Sequence, residues 1–307
     1  MKKNKKIIIG TRGSRLALWQ ANWVKSALID HDFEVNILVI KTKGDKILDV
    51  PLAKVGGKGL FVKEIEQALI TGEIDVAVHS MKDMPAEIPP GLCIGAVPER
   101  ETTEDVLISR NKVVFSELKI GARIGTSSLR RSAQILNVRD DIKIDPLRGN
   151  IETRLKKLET ENLDAVILAG AGVKRLNLEN RITEYLDEKI MLPAVAQGAL
   201  CIEIREDDPR VNRIVSQLNH EETRSVVMGE RSFLKHLGGS CQVPVAGHGK
   251  IENNSFTICG LVAEPDGSVV YRETLSGPAE SYEEIGIELA DQLLKQGAGH
   301  ILERLSS

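Results

Sequence analysis

Aromatic side chains are scarce in this chain, 3% of 307 residues, with five Phe, three Tyr and two Trp. That scarcity removes the stacking platform on which single-stranded nucleic-acid binders depend. A surplus of one charge is missing too: 41 Lys and Arg face 44 Asp and Glu, a formal net charge of −3, which argues against a protein that coats nucleic acid through bulk positive charge. No run approaches the ~18 apolar residues of a membrane-spanning helix; the longest candidate, Ala165 to Val173, contains two glycines. The start MKKNKKIIIG is basic but lacks the apolar core of a secretory signal, so a cytoplasmic location is expected. Cys93, Cys201, Cys241 and Cys259 lie far apart with no C-x-x-C pair, which disfavours a zinc ribbon and a disulfide framework. A special cysteine in this chain is special singly.

What is present is ordinary globular material, 42% hydrophobic and 28% charged, enough for two or three domains. Short β-branched runs alternate with amphipathic segments: strand Ile7–Gly10, a helix from Ser14 to Ile29, strand Val35–Lys41, helix Leu60–Ile70 and strand Ile74–His79. The pattern restarts near residue 100 with Asp105–Ser109, Ala122–Gly125, a helix from Ser128, Ile142–Asp145, a helix from Asn150, and Asp164–Ala169. The phrases Ile9-Gly10-Thr11-Arg12-Gly13-Ser14 and Ile124-Gly125-Thr126-Ser127-Ser128 match in kind, each a strand ending in glycine that turns into a hydroxyl-capped helix. After Pro193 come a glycine-containing stretch, helices at 209–218 and 222–236, strands at 243–248, 255–262 and 268–275, and one closing helix from 281 to 305. The expected plan is α/β, two α/β lobes followed by a small α+β domain.

Placement of charge is more telling than its sum. Arg123, Arg130, Arg131, Arg139, Arg148, Arg154 and Arg175 crowd the second lobe, several at strand-to-helix turns. Thr126-Ser127-Ser128-Leu129-Arg130-Arg131 offers backbone N–H groups, hydroxyls and two guanidiniums at a helix start. Arg148-Gly149-Asn150 repeats the idea, with Asn150 as N-cap and Arg154 one turn on. Two such turns at adjacent strand ends point to a crevice for a polyanion; the plainer reading of any one arginine is solvated helix surface. Gly56-Gly57-Lys58-Gly59 lacks the P-loop spacing and suits a lid or an ordinary loop. Asp83, in His79-Ser80-Met81-Lys82-Asp83-Met84-Pro85 after an apolar strand, is a candidate proton handler or a salt-bridged turn residue. His79, without a second His or Cys nearby, is not a metal ligand. Cys241, in Leu237-Gly238-Gly239-Ser240-Cys241-Gln242, sits on a small-residue loop that exposes its sulfur to a bulky electrophile; the other three cysteines suit small buried hydrophobes.

Seven segments in order, namely Thr11–Gln20, the glycine loop with Lys58, His79–Pro85, Gly125–Arg131, Leu147–Asn150, Pro193–Gly198 and Glu230–Pro244, resemble the porphobilinogen deaminase (hydroxymethylbilane synthase) family over essentially the whole chain. Ser240 departs from it, where glycine is common. The resemblance implies two periplasmic-binding-protein-like α/β lobes, 1–98 with 199–216 and 104–192, and an α+β domain at 221–307 carrying the cofactor cysteine. It implies a cytoplasmic, monomeric transferase of heme and porphyrin biosynthesis, bound to neither nucleic acid nor membrane. Such an enzyme condenses four porphobilinogen units into hydroxymethylbilane with loss of ammonia, on a dipyrromethane primer in thioether linkage to Cys241. Asp83 becomes the catalytic aspartate, moving protons and stabilising the methylenepyrrolenine cation. Arg12, Ser14, Lys54, Lys58, Ser80, Lys82, Thr126, Ser128, Arg130, Arg131, Arg148, Arg154, Arg175 and Gln197 match positions that hold carboxylates or line the cleft, with hinges at 99–104 and 193–200.

Two other classes compete. A two-lobed solute receptor needs anion-binding turns and a hinge but neither Asp83 nor a tethering cysteine, and it needs the export signal that is missing. A regulatory nucleic-acid module is disfavoured by the charge balance and the scarcity of aromatics.

Overall fold

The protein is described here by a computed structural model covering residues 6–29, 33–46, 59, 62–238 and 243–306. Its contacts divide the chain into two compact units, 1–101 with 199–224 and 102–198 with 225–307. No helix among the described residues is long and apolar enough to cross a membrane.

The first unit is built on a five-stranded sheet. Strands β1 (Lys6–Thr11), β2 (Glu34–Val39), β3 (Val76–Ser80), β4 (Leu92–Ala96) and β10 (Leu200–Arg205) lie in the order β2-β1-β3-β10-β4. β1 runs parallel to β2 and β3, whereas β10 is antiparallel to both its neighbours. Alternation along each strand then sorts the side chains. Ile7, Ile9, Val76, Val78, Ile202 and Ile204 pack with Val24 and Leu28 of α1 (Arg15–Ile29) and Val211 of α6 (Pro209–Val215). On the opposite face Ala77 and Leu92 meet Ile65 and Leu69 of α2 (Lys63–Ile70).

The second unit repeats this plan. β5 (Asp105–Ser109), β6 (Arg123–Gly125), β7 (Lys143–Asp145), β8 (Ala165–Ala169) and β9 (Glu184–Tyr185) lie in the order β7-β6-β8-β5-β9. Again the first three are parallel and the fourth is antiparallel to its neighbours. α3 (Leu129–Val138) covers one face, and α4 (Ile151–Thr160) with α5 (Gly170–Arg175) covers the other. The repeat extends to single hydrogen bonds. Asp75 accepts the Ile8 N–H at 2.9 Å and returns its own N–H to the Ile8 carbonyl, while Asp164 does the same with Arg123 at 2.8 Å. The matching phrases around Gly10 and Gly125 therefore belong to a duplicated architecture.

The remainder of the second unit is an antiparallel sheet of β11 (Val245–Glu252), β12 (Ser255–Ala263) and β13 (Val270–Pro278). α7 (Glu221–His236), α8 (Tyr282–Leu293) and α9 (Gly299–Ser306) complete the chain, with Phe233 and Leu289 buried against Gly260 of β12. The α/β plan holds, with corrections to the elements. β4, β9 and β10 are strands, and α5 a helix, that the sequence pattern leaves unassigned; β10 is buried along five of its six residues, so it shows no in–out alternation, and its central Glu203 imitates a surface residue. The single closing helix is two, broken at Gly297, whose φ of +117° no helix tolerates.

Candidate active site

In the first unit a recess opens beside the carboxyl ends of β1 and β3, where open α/β sheets gather ligands. Arg12, Ser14, Gln20, His79, Ser80 and Asp83 line it. The turn after β1 delivers Arg12 and Ser14, and Ser14 caps α1 by accepting the Ala17 N–H at 3.2 Å. β3 ends at Ser80, which accepts a hydrogen bond from Gln20 Nε2 at 2.8 Å. A single tight turn, Met81–Asp83, follows; Met81 is buried and anchors it, so Asp83 stands exposed at its end with half-buried Lys82 before it. The recess thus unites Arg12, Ser14, Ser80 and Asp83 of the expected residues.

Behind the recess wall lies a polar group that the sequence does not announce. His79 Nε2 is 3.0 Å from Glu203 Oε2 of β10, with side chains 4% and 0% exposed. Glu66 of α2 is buried on the same face of the sheet, and its carboxyl is pushed up to about 7 by burial and then by the charge of Glu203, with His79 and Lys63 opposing.

The second unit holds the arginines. Ser128 caps α3 by accepting the Arg131 N–H, and buried Thr126 accepts the Ser128 N–H at 3.2 Å. Arg130 and Arg131 are themselves buried around Asp105 at the start of β5, with Nη1–Oδ2 2.8 Å for Arg130 and Nη2–Oδ1 2.6 Å for Arg131. Burial pulls the Arg130 guanidinium down and Asp105 opposes that pull. Two guanidiniums around one carboxylate leave one buried positive charge in excess. Asn150 caps α4 as expected, accepting the Thr153 N–H at 2.8 Å, and Arg148 on the preceding turn is half-buried. Arg154 donates from Nε to the Gly149 carbonyl. By contrast, Arg123 and Arg139 form bidentate pairs with Asp145 and Asp141, a structural use.

The unit boundary between 198 and 199 falls inside segment 193–200, expected as a hinge, and residues 196–198 of it are bonded within the second unit. Ala196, at φ +58°, donates its N–H to buried Glu230 at 2.6 Å. Gln197 Nε2 bonds the Thr103 carbonyl and Arg175 Nη2 bonds the Gly198 carbonyl, both at 2.7 Å. Cys241, Lys54 and Lys58 lie outside the described residues. Of the other cysteines, Cys201 is buried and Cys93 and Cys259 are partly so. Asp105, Glu230, Glu203 and Glu66 were not singled out from sequence. Each looks like an ordinary surface acid there, because its partners are distant in the chain.

Comparison with known proteins places these features in a family. The family model described as "Porphobilinogen deaminase, dipyromethane cofactor binding domain" matches residues 7–213, and "Porphobilinogen deaminase, C-terminal domain" matches 225–295. Relatives named porphobilinogen deaminase include one from Pelobacter propionicus, 54% identical over 299 residues covering 97% of this chain and 96% of its own. Another, from a Geobacillus species, is 52% identical over 305 residues, 98% and 97% of the two chains. Among solved structures, the methionine-binding protein MetQ covers 70% of this chain and 90% of its own at 14% identity and a TM-score of 0.46. With two family models side by side and relatives above half identity along nearly its full length, this chain belongs to the porphobilinogen deaminase family.

Proposed function

We propose that the chain is a hydroxymethylbilane synthase, a transferase that condenses four porphobilinogen molecules head to tail into the linear tetrapyrrole hydroxymethylbilane and releases ammonia at each addition. The observation that carries this reading is the first lobe's recess, where a guanidinium, two hydroxyls and a carboxylate converge at strand ends. Each porphobilinogen brings an acetate and a propionate, both ionised at neutral pH because carboxyl pKa values lie near 4. Arg12 offers such a carboxylate a paired, oriented contact. Asp83 accepts a hydrogen bond from the pyrrole N–H and stabilises positive charge as the carbon–nitrogen bond of the aminomethyl group breaks. Lys82 and Ser80 flank it, and Lys54 and Lys58 are assigned to further carboxylate contacts.

The family's dipyrromethane, a two-ring group bearing acetates and propionates, fits the donor set of the second lobe. The excess buried charge of Arg130, Arg131 and Asp105 is the observation that supports the fit. Thr126, Ser128, Arg130, Arg131, Arg148, Arg154, Arg175 and Gln197 are assigned to hold or frame it, with Cys241 as the point of thioether attachment. When bound, it supplies the pyrrole end onto which substrate is condensed. The chain's own part is to hold these carboxylates in orientation, which arginine does more specifically than lysine. The proposal extends to domains at 1–98 with 199–216, 104–192 and 221–307, and to a cytoplasmic monomer that binds neither nucleic acid nor membrane.

Intact-protein mass spectrometry tests it. The protein as purified should carry an adduct equal to two linked pyrrole units, absent from Cys241→Ser. An unmodified protein that turns over porphobilinogen at full rate would overturn the attachment.

A further inference from the structure

The buried group behind the first lobe's recess has no part in the function above, and its construction is specific. β3 and β10 are antiparallel neighbours with Ala77 opposite Glu203 and His79 opposite Cys201. Alternation therefore places His79 and Glu203 diagonally on one face, the face that α2 covers, and α2 brings Glu66 to it between Ile65 and Leu69. Glu203 meets His79 through Oε2, while its Oε1 and the Glu66 Oε1 are buried and have no hydrogen-bond partner among the described residues. Two carboxyls and an imidazole thus occupy a volume where each separate charge is costly to desolvate. Such a set is stable when protons are held in common, a protonated carboxyl being a donor and its neighbour an acceptor. Lys63 faces Glu66 from α2. On β4 it is Ile94 that stands opposite Glu203; Cys93 lies on the other face of the sheet, opposite Ile204, and its thiol is pushed up by burial, then by Glu206, with Arg224 opposing and the more distant Glu203 adding a smaller push. Arg12 and Asp83 belong to the recess, and His79 is the member of the trio that lines it with them.

Taking the recess as the substrate site, we propose that Glu66, Glu203 and His79 form one proton-holding unit whose outlet to the substrate is the His79 ring, a second acid–base group beside Asp83. Condensation calls for such a group. At each addition the carbon–nitrogen bond of the protonated aminomethyl group breaks and its electron pair leaves with ammonia. A carbon–carbon bond forms in place of a carbon–hydrogen bond at the acceptor carbon, and the proton released there ends on the ammonia as ammonium. Atoms and charge balance with no further reactant, but the proton must be held between its release and its transfer. His79 holds it at the recess wall; Glu203 and Glu66, as positioning residues, take up the change in charge behind the ring.

The test reads the imidazole directly. NMR titration of His79 is followed in the full-length protein, in Glu66→Gln and in Glu203→Gln, beside the pH profile of kcat/KM for porphobilinogen. Glu203→Gln should displace the His79 titration curve from that of the unaltered protein. Glu66→Gln, the milder change and the decisive one if Glu203→Gln does not fold, should alter both the His79 titration and the limb of the rate profile, with KM nearly unchanged. Curves for Glu66→Gln that superimpose on those of the unaltered protein would overturn the unit. A shifted imidazole with an unshifted rate profile would overturn the outlet. Unaltered protein that releases no ammonia from porphobilinogen would instead overturn the reading of the recess, and the imidazole titration would still decide on the unit.

Discussion

Arg131 clasps one oxygen of Asp105 from two sides, with Nη2 at 2.6 Å and Nε at 3.0 Å, and so leaves the other oxygen to Arg130 at 2.8 Å. Neither guanidinium faces solvent, so the pair depends on Asp105 for its charge balance. Asp105→Asn keeps the shape and removes the charge. It should lower the unfolding free energy by about 3–5 kcal/mol, the cost of leaving buried charge uncompensated, read from guanidinium unfolding midpoints. The surviving folded protein should carry less of the covalent adduct.

Glu66 makes stability depend on pH in a direction opposite to most carboxylates. Its pKa is raised from about 4.5 in the unfolded chain to about 7 in the fold. Below the lower value both states are protonated; between the two values the unfolded chain releases a proton that the fold retains. Stability contributed by this group is therefore full in acid, falls as pH rises through that window, and is lost above about 7. The total is about 3 kcal/mol at 1.36 kcal/mol per unit. Glu66→Gln should remove the slope, and urea unfolding of both proteins at pH 5, 6, 7 and 8, about one unit apart across this range, would reveal its absence.

Asp83 is exposed at the end of its turn. Asp83→Asn should therefore change stability by less than about 0.5 kcal/mol, yet slow ammonia release by roughly 10²–10⁴-fold as a general acid–base group is lost. Ammonia release near the original rate would remove Asp83 from the chemistry.

Gly267 lies in the turn between β12 and β13 at φ +74°, where a Cβ would come within 2.5 Å of the Asn137 N and 2.6 Å of the Ala133 carbonyl oxygen of α3. Both obstacles are backbone and cannot swing aside, and Asn137 Nδ2 already donates to the Gly267 carbonyl at 3.0 Å. Gly267→Ala should cost about 1–3 kcal/mol or more, measured as a lowered unfolding midpoint.

Local signals carried much of this structure in the sequence. Hydroxyl and amide caps at Ser128 and Asn150, the apolar strand before His79 and the repeated turn after Gly10 and Gly125 act through neighbours a few residues away, and all stand where the pattern puts them. The recess residues were legible for the same reason, since Arg12, Ser14, Ser80 and Asp83 belong to two short motifs. What was hidden is what depends on distant pairing. Glu203 meets His79 across 124 positions and Glu230 meets Ala196 across 34. A carboxylate amid apolar neighbours, as in Leu-Cys-Ile-Glu-Ile-Arg, gives no local sign of which partner neutralises it. The charge excess around Asp105 was half visible, because the arginines stood out and the acid between them did not.

One consequence of β10 concerns the order of events during synthesis. The strand lies between β3 and β4 in the first sheet, yet it follows β4 by about 100 residues, the length of an entire second lobe. On a ribosome adding about 5–20 residues per second, the first lobe waits on the order of 5–20 seconds with β3 and β4 made but unjoined. Throughout that interval His79 has no Glu203, and two strand edges are open to strays. A chain of this topology completes its second lobe before its first, and its demand on chaperones should fall in that gap.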